Sequence, residues 1–256
     1  MNQIKLRSHQ ASTLNRMSYH KKGQVIVPTG GGKTMCMIED VKREIKQADY
    51  RRTFVVVAPR ILLAQQLCEE FLEQITGVNV LHVHSGETHH TSTTKPEKIK
   101  TFCIYPLHLH TIIFTTYHSL HRIQEADIDV DTIYFDEAHN STAKNFFPSV
   151  EHYSAEAKRC YFFTATPKHS LTISKPGMND CYVYGKVIVN IPAPKLVKEG
   201  YILPPKMIVK TINVAEEDVN ECQHIVDTID EISVKKVLIC ARSTKQIIKL
   251  IDQTNF

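Results

Sequence analysis

Apolar residues along the chain gather into short runs separated by segments of helical spacing. Val25-Ile26-Val27, Phe54-Val55-Val56-Val57-Ala58, Val78 to Val83, Thr111 to Thr115, Asp131 to Phe135 and Cys160-Tyr161-Phe162-Phe163 read as strands. The second of these is continuously apolar, as in a strand covered on both faces of a parallel sheet. Between the runs, Ile38, Val41, Ile45 and Ala48, and then Leu63, Leu67, Phe71 and Ile75, recur at the spacing of one helix face. The order is β-α-β, which predicts an α/β fold with a mostly parallel sheet flanked by helices. A short helical pattern with Leu14 and Met17 precedes the first strand, and Thr116 to Leu120 turns from strand into helix. The polar stretch that begins at Glu87 and runs through Lys100 reads as an exposed loop. Further on, Lys206 to Thr211 reads as a strand, and residues 215–232 suit a helix with Val219, Cys222, Ile225, Val226 and Ile229 on one face.

Chemistry sits at the ends of the runs. Pro28-Thr29-Gly30-Gly31-Gly32-Lys33-Thr34 follows the first strand and opens the first long helix. Three glycines permit backbone conformations closed to other residues, so successive N–H groups can turn onto an anion at a helix N-terminus. Lys33 would reach the β- and γ-phosphates, and the Thr34 hydroxyl would hold Mg2+. A strict phosphate loop has glycine five places before Gly32; this chain has Val27, so the match is to a variant.

Asp136-Glu137-Ala138-His139 follows the strand that ends at Phe135. Adjacent carboxylates at the end of a buried strand are costly unless they are used. Beside a phosphate loop, the first acid binds Mg2+ and the second can orient and deprotonate the attacking water, which makes nucleoside triphosphate hydrolysis the implied chemistry. Thr164-Ala165-Thr166-Pro167 ends the sixth run. Every candidate thus falls at the carboxyl end of a strand, the edge where open α/β sheets bind ligands.

Composition narrows this little. Across 256 residues the net charge is +4 and the pI about 8.6, which permits a polyanionic partner without requiring one. No apolar stretch has the length of a membrane span and none resembles a signal peptide, so a soluble intracellular protein without a membrane partner is expected. Seven scattered cysteines with no C-x-x-C pair suit reduced thiols and indicate neither zinc nor an iron–sulfur cluster. His82, His84, His89 and His90 invite a metal reading but lack acidic or cysteine partners at ligand spacing; structural or solvated histidines are the plainer alternative.

Taken in order, the phosphate loop, Asp-Glu-Ala-His and Thr-Ala-Thr resemble the superfamily-2 helicases and translocases, in the branch of the restriction subunits and excision-repair proteins. The resemblance implies a RecA-like ATP-binding domain over residues 1–203, then a linker and the start of a second RecA-like domain over 204–256. Within Leu6-Arg7-Ser8-His9-Gln10, Gln10 resembles the glutamine that reads adenine, completing an ATP site of Gln10, Pro28, Thr29, Gly30, Gly31, Gly32, Lys33 and Thr34. By the same resemblance Lys33, Asp136, Glu137 and His139 are catalytic, and Thr34 and Asp136 fix Mg2+. Pro59 and Arg60, Ser85 and Gly86, and Thr115 and Thr116 resemble the segments that contact the nucleic-acid backbone, whereas Thr164 and Thr166 resemble the motif that couples hydrolysis to strand movement. Met178-Asn179-Asp180, Tyr184-Gly185 and Leu196-Val197-Lys198-Glu199-Gly200-Tyr201 resemble the tail of the first domain, and Val237 to Thr244 the first strand and loop of the second.

That branch acts mainly on DNA, so DNA is favoured over RNA, and other subunits of a DNA-processing complex are possible partners. No Gln-x-x-Gly-Arg-x-x-Arg segment follows in these residues; its arginine is worth on the order of a thousandfold in rate. The sequence therefore reads as truncated or split after the start of the second domain, with low activity expected of it alone. The alternatives are a nucleotide- and nucleic-acid-binding module with little ATPase activity, and the motor subunit of a restriction or remodelling complex that translocates without unwinding. A P-loop kinase or GTPase is disfavoured, because no guanine-reading or acceptor-site signature follows.

Overall fold

A computed structural model describes residues 5–105, 109–172, 174–204, 209, 221–232, 237–241 and 243–253. The chain divides into two compact units, Met1–Pro204 and Pro205–Phe256.

The first unit runs α1 (Ser8–Tyr19), β1 (Lys22–Ile26), α2 (Lys33–Lys46), β2 (Thr53–Ala58), α3 (Ile61–Leu72), β3 (Val78–Val83), α4 (Pro96–Ile104), β4 (His110–Thr116), α5 (Leu120–Glu125) and β5 (Thr132–Phe135). A 3-10 turn (Ala138–Thr142), α6 (Phe147–Glu156), β6 (Arg159–Thr164), α7 (Cys181–Tyr184), β7 (Val187–Asn190) and α8 (Ala193–Lys198) complete it. The strands form one parallel sheet in the order β3-β4-β2-β5-β6-β1-β7. Phe54, Val56 and Ala58 of β2 face one core with α1, α2 and α3; Val55 and Val57 face a second with α4, α5, α6 and α7. Covering on both faces is why β2 is apolar throughout. This is the three-layer RecA-like α/β fold expected.

Several local expectations need correction. The stretch through Lys100 is not all loop: Pro96 opens α4, which buries Ile99 and Cys103 one turn apart. Two core residues are too few to give a visible period. Earlier in the same stretch, His82 N donates to Thr91 O and Thr93 N to His82 O, so the polar segment folds back along edge strand β3. On α3 the buried face is Ala64, Leu67, Cys68 and Phe71, whereas Leu63 points outward at 37% exposure. The i+4 count takes one flanking leucine in place of Ala64.

The helix that opens behind the phosphate loop is anchored by charge. Asp40, fully buried on α2, pairs with Arg43 and with Arg159 at 3.0 Å and accepts the Tyr134 hydroxyl at 2.7 Å. Glu44, one turn on, pairs with Arg52 and with Arg159 at 2.9 Å. Buried charges of this kind persist only when paired and hydrogen-bonded.

In the second unit, α9 (Glu221–Ile232) and α10 (Thr244–Gln253) bury Cys222 and Leu250. Ile225, Val226 and Ile229 lie on α9, but Val219 and all of the expected strand from Lys206 to Thr211 except Val209 lie outside the described residues. Residues 237–241 are described and form no strand. A strand needs a hydrogen-bonded neighbour, and none is described in this unit.

Candidate nucleotide site and nucleic-acid edge

β1 leads into the glycine loop, whose path is fixed at both ends. Val27 N donates to Thr164 O at 3.0 Å, continuing the β1–β6 ladder by one residue. Gly32, at φ +81°, caps α2 in the left-handed region, which a side chain would strain. A β-carbon on Gly31 would lie 2.5 Å from Val27 Cγ1 and 2.9 Å from Pro28 O, so the loop closes on itself only with glycine there.

Three side chains from the start of α1 hold the loop's carbonyls. Arg7 Nη1 donates to Gly30 O at 3.1 Å, His9 Nε2 to Gly31 O at 2.7 Å, and Gln10 Nε2 to Gly32 O at 3.3 Å. The Gly31 N–H is spent on Pro28 O at 3.0 Å, so with the carbonyls held on the α1 side the N–H groups left for an anion are those at the start of α2, from Gly32 to Thr34. Gln10 is nearly buried, and its Oε1 accepts the Arg7 N–H at 2.9 Å. Gln10, Gly32 and Thr34 also line a cleft of about 400 Å3 with Arg7, Met35 and Ile38. The sequence singled out Gln10; Arg7 and His9 carried no signal beyond polar residues opening a helix.

The acidic pair stands two strands away, at the end of β5. Asp136 N donates to Val57 O at 2.8 Å, and the buried Tyr117 hydroxyl donates to Asp136 O at 2.8 Å. Burial, reinforced by the neighbouring Glu137 and opposed by Lys33, raises the Asp136 pKa to about 6. Glu137 adopts φ +44°, a left-handed conformation that costs a non-glycine residue about 1–3 kcal/mol. That turn swings its carboxylate back across the strand ends, where Oε1 lies 3.3 Å from Lys33 Nζ and Oε2 3.5 Å from His139 Nδ1.

His139 extends the line. Its Nδ1 is 3.1 Å from Thr164 Oγ1, which also accepts the Thr166 N–H at 3.1 Å. Asn140 Nδ2 lies 3.3 Å from His139 Nε2 and donates to Glu137 O at 2.9 Å. An amide nitrogen can only donate, so Nε2 accepts and the ring proton sits on Nδ1, facing Glu137 and Thr164. Lys33, Glu137, His139, Thr164 and Thr166 are therefore joined in one polar line. Thr34 opens α2 beside Lys33, and its hydroxyl and the Asp136 carboxylate are the hard oxygen donors that suit Mg2+. An adjacent carboxylate pair served by one lysine is a charge arrangement that a divalent cation would relieve.

The other half of the edge is formed by β2, β4 and β3. Arg60 is exposed directly after β2, with Pro59 beside it, and Ser85 and Gly86 follow β3. A β-carbon on Gly86 would lie 2.5 Å from Ile61 Cγ2, so the post-β3 turn is seated on the start of α3. Thr116 is almost covered, 3.4 Å from Ser119 Oγ. Thr115 differs: it is fully buried, and its hydroxyl donates to Val83 O at 2.8 Å, so its side chain ties β4 to β3 rather than facing a ligand. A cavity of about 1010 Å3 lies elsewhere, between residues 142–151 and 168–180, and none of the candidate nucleotide or nucleic-acid residues lines it. His82 and His84 are buried side by side on and just after β3, and among the described residues no group of three His, Cys, Asp or Glu is placed to hold a metal ion.

Fold and site order together define a superfamily-2 helicase or translocase of the restriction-subunit type. Residues 3–169 match the family model described as Type III restriction enzyme, res subunit, and the chain belongs to that family. Among curated proteins nothing matches the chain. In fold it is similar to the ATP-dependent Type ISP restriction-modification enzyme LlaBIII bound to DNA, with a TM-score of 0.66 and 21% identity over 77% of this chain. A nuclease-deletion mutant of the Type ISP enzyme LlaGI, in complex with a DNA substrate mimic, gives 0.66 at 20% identity over 91% of this chain. The UvsW helicase from bacteriophage T4 gives 0.54 at 14% identity, covering 72% of this chain and 60% of that one. The chain spans 16% of the LlaBIII chain and 23% of the LlaGI chain. No helix among the described residues is long and apolar enough to cross a membrane.

Proposed function

We propose that this chain carries the nucleotide-binding half of an ATP-dependent motor that moves along DNA, with residues 1–203 as its first ATP-binding domain and 204–256 as linker and start of a second. The observation that carries the reading is the line from Lys33 through Glu137 and His139 to Thr164 and Thr166. ATP would lie on the glycine loop, with Gln10 beside its base. Lys33 offsets phosphate charge, and Glu137, placed between Lys33 and His139, accepts the proton of the attacking water. Thr34 and Asp136 would hold Mg2+, which would supply positive charge against the phosphates when bound. His139 passes the state of the site to Thr164 and, through the Thr166 amide, to the segment beyond β6. DNA would cross the edge at Arg60, Ser85-Gly86 and Thr116, where backbone contacts position the strand without reading its sequence. The two Type ISP structures are described with DNA or a DNA mimic, which supports DNA as the track.

The test is Glu137→Gln. The variant should bind ATP as the wild type does and lose turnover by on the order of a hundredfold or more. Full turnover in it removes Glu137 from the chemistry. Wild-type turnover at background, with or without DNA but with ATP bound, would make the chain a nucleotide-sensing module instead. A second reading, a restriction motor subunit that translocates without unwinding, is supported by the likeness to two restriction-modification enzymes. Displacing a triplex-forming strand while failing to separate a duplex would establish that reading.

A further inference from the structure

The glycine loop is gripped from a second side, by the segment that leads out of the first unit. α8 ends at Lys198, Glu199 caps it, and Gly200 turns the chain at φ +73°, so that Tyr201 N donates back to Leu196 O at 2.9 Å. This turn lays Leu196, Tyr201 and Ile202 against the loop. Leu196 is fully buried, and its Cδ1 lies 3.0 Å from where a β-carbon of Gly31 would stand; Ile202 Cγ2 lies 3.2 Å from the corresponding point on Gly30. The Tyr201 ring covers two of the three residues that hold the loop's carbonyls: its centroid is 5.3 Å from that of His9, and Arg7 Cζ sits 5.0 Å above it. The Gly30 and Gly31 peptides are thus clamped between an arm of α1 and a strap spanning Leu196–Ile202, and the strap runs directly into the boundary between the two units.

We infer that Tyr201 is a positioning residue for the nucleotide, acting through His9 and Arg7, and that the Leu196–Ile202 strap senses whether the loop is occupied. The inference rests on the reading of the glycine loop as an ATP site. The ring restricts the two side chains that fix the Gly30 and Gly31 carbonyls, so the loop's N–H groups are set before the phosphates arrive; preorganised donors bind more tightly than donors that must be ordered on binding. Linkage requires the converse: a nucleotide that favours the set loop must also favour the docked strap.

The experiment titrates the full 256-residue chain with a fluorescent ATP analogue and Mg2+, comparing wild type, Tyr201→Ala and Tyr201→Phe. Loss of the ring should weaken binding on the order of tenfold, whereas phenylalanine, which keeps both ring contacts, should stay within about twofold. Hydrogen exchange at the Tyr201 and Ile202 amides should slow when nucleotide is added to the wild type and not to Tyr201→Ala, a response that mere packing would not give. Unchanged affinity in Tyr201→Ala, equal losses in Ala and Phe, or exchange indifferent to nucleotide would each overturn the inference. If Tyr201→Ala melts early without nucleotide, His9→Gln, which can still donate to Gly31 O, and His9→Leu, which cannot, decide the matter. Retained affinity in the first alone supports the clamp, and equal affinities overturn it. A wild type that binds no nucleotide overturns the ATP-site reading itself; a wild type that binds, with indifferent variants, overturns only the strap.

Discussion

Acidification should weaken this fold through one side chain at the far edge of the sheet. His82 on β3 is fully buried, stacked 5.6 Å from Phe114 and 5.7 Å from His90, with Nδ1 2.9 Å from His84 Nε2 and Nε2 without a hydrogen-bond partner. An imidazolium there would lose its hydration and face two further histidines. Burial first, then His84 and His90, lower its pKa to about 4 from 6.5. Because the folded value is the depressed one, the unfolded chain takes up the proton first. The stability that His82 contributes above pH 6.5 is therefore lost as the pH falls from 6.5 toward 4. A gap of about 2.5 units at 1.36 kcal/mol per unit is roughly 3 kcal/mol in full, of which about 2 kcal/mol is lost by about pH 5. Burial also lowers the pKa of His84, so the quantity to measure is a difference between proteins. Urea unfolding followed by circular dichroism should give the wild type a loss about 2 kcal/mol larger than that of His82→Leu between about pH 7.5 and about pH 5. Equal losses in the two proteins would mean that the native ring takes its proton freely, and the account of its burial would be wrong.

Three further substitutions, with one control, probe the helix anchor, the loop and the polar line. Asp40→Asn leaves Arg159 and Arg43 short of a buried carboxylate and should cost about 3 kcal/mol in urea unfolding; a loss below about 1 kcal/mol would show the network to be dispensable. Gly31→Ala forces a β-carbon against Val27 Cγ1 and the Pro28 carbonyl and should weaken nucleotide binding on the order of tenfold or more, read by the same fluorescent titration. Gly77→Ala is its control: open space but φ +71° predicts about 1 kcal/mol of lost stability and no change in nucleotide affinity. Thr164→Val keeps the volume and removes the oxygen between His139 and the Thr166 amide, so ATP affinity should stay within about twofold while stimulation of turnover by DNA falls on the order of tenfold. Undiminished stimulation would take Thr164 out of the coupling route.

The architecture was legible because β2, β4, β5 and β6 are covered on both faces, so each carries a run of adjacent apolar residues. Elements with a smaller buried share were not. α4 sinks two side chains, and β7 is an edge strand of four residues whose ends are exposed, so neither develops a period. The place of the candidate site was legible for a different reason. Adjacent acids after an apolar strand, and glycines before a lysine, are expensive arrangements, and expense is visible in a sequence. Residues that hold those groups in place are cheap. His9 and Arg7 are polar residues at the mouth of a helix, and Tyr201 is an aromatic after a glycine; what makes them matter is that residues from opposite ends of the first unit meet on one loop. Thr115 is a separate case: its hydroxyl donates to Val83 O and ties β4 to β3, a contact that residue type at a strand end does not reveal.

The sheet order gives the polar line its reason. β1 carries the glycine loop and β5 the acidic pair, but the two strands are not neighbours; β6 lies between them, in register with Ile26 of β1 at Thr164 and with Phe135 of β5 at Phe162. A phosphate-bearing ligand on the loop and an acid at the end of β5 must therefore face each other across the end of β6. Lys33 spans the gap from one side, and the left-handed turn at Glu137 returns the second carboxylate from the other. Thr164 ends the strand in between, its carbonyl accepting the Val27 N–H of the loop and its hydroxyl oxygen meeting His139 Nδ1. One residue thus touches both halves of the site through different atoms. Thr164 is therefore a second link between the two halves, beside the direct ion pair of Lys33 and Glu137.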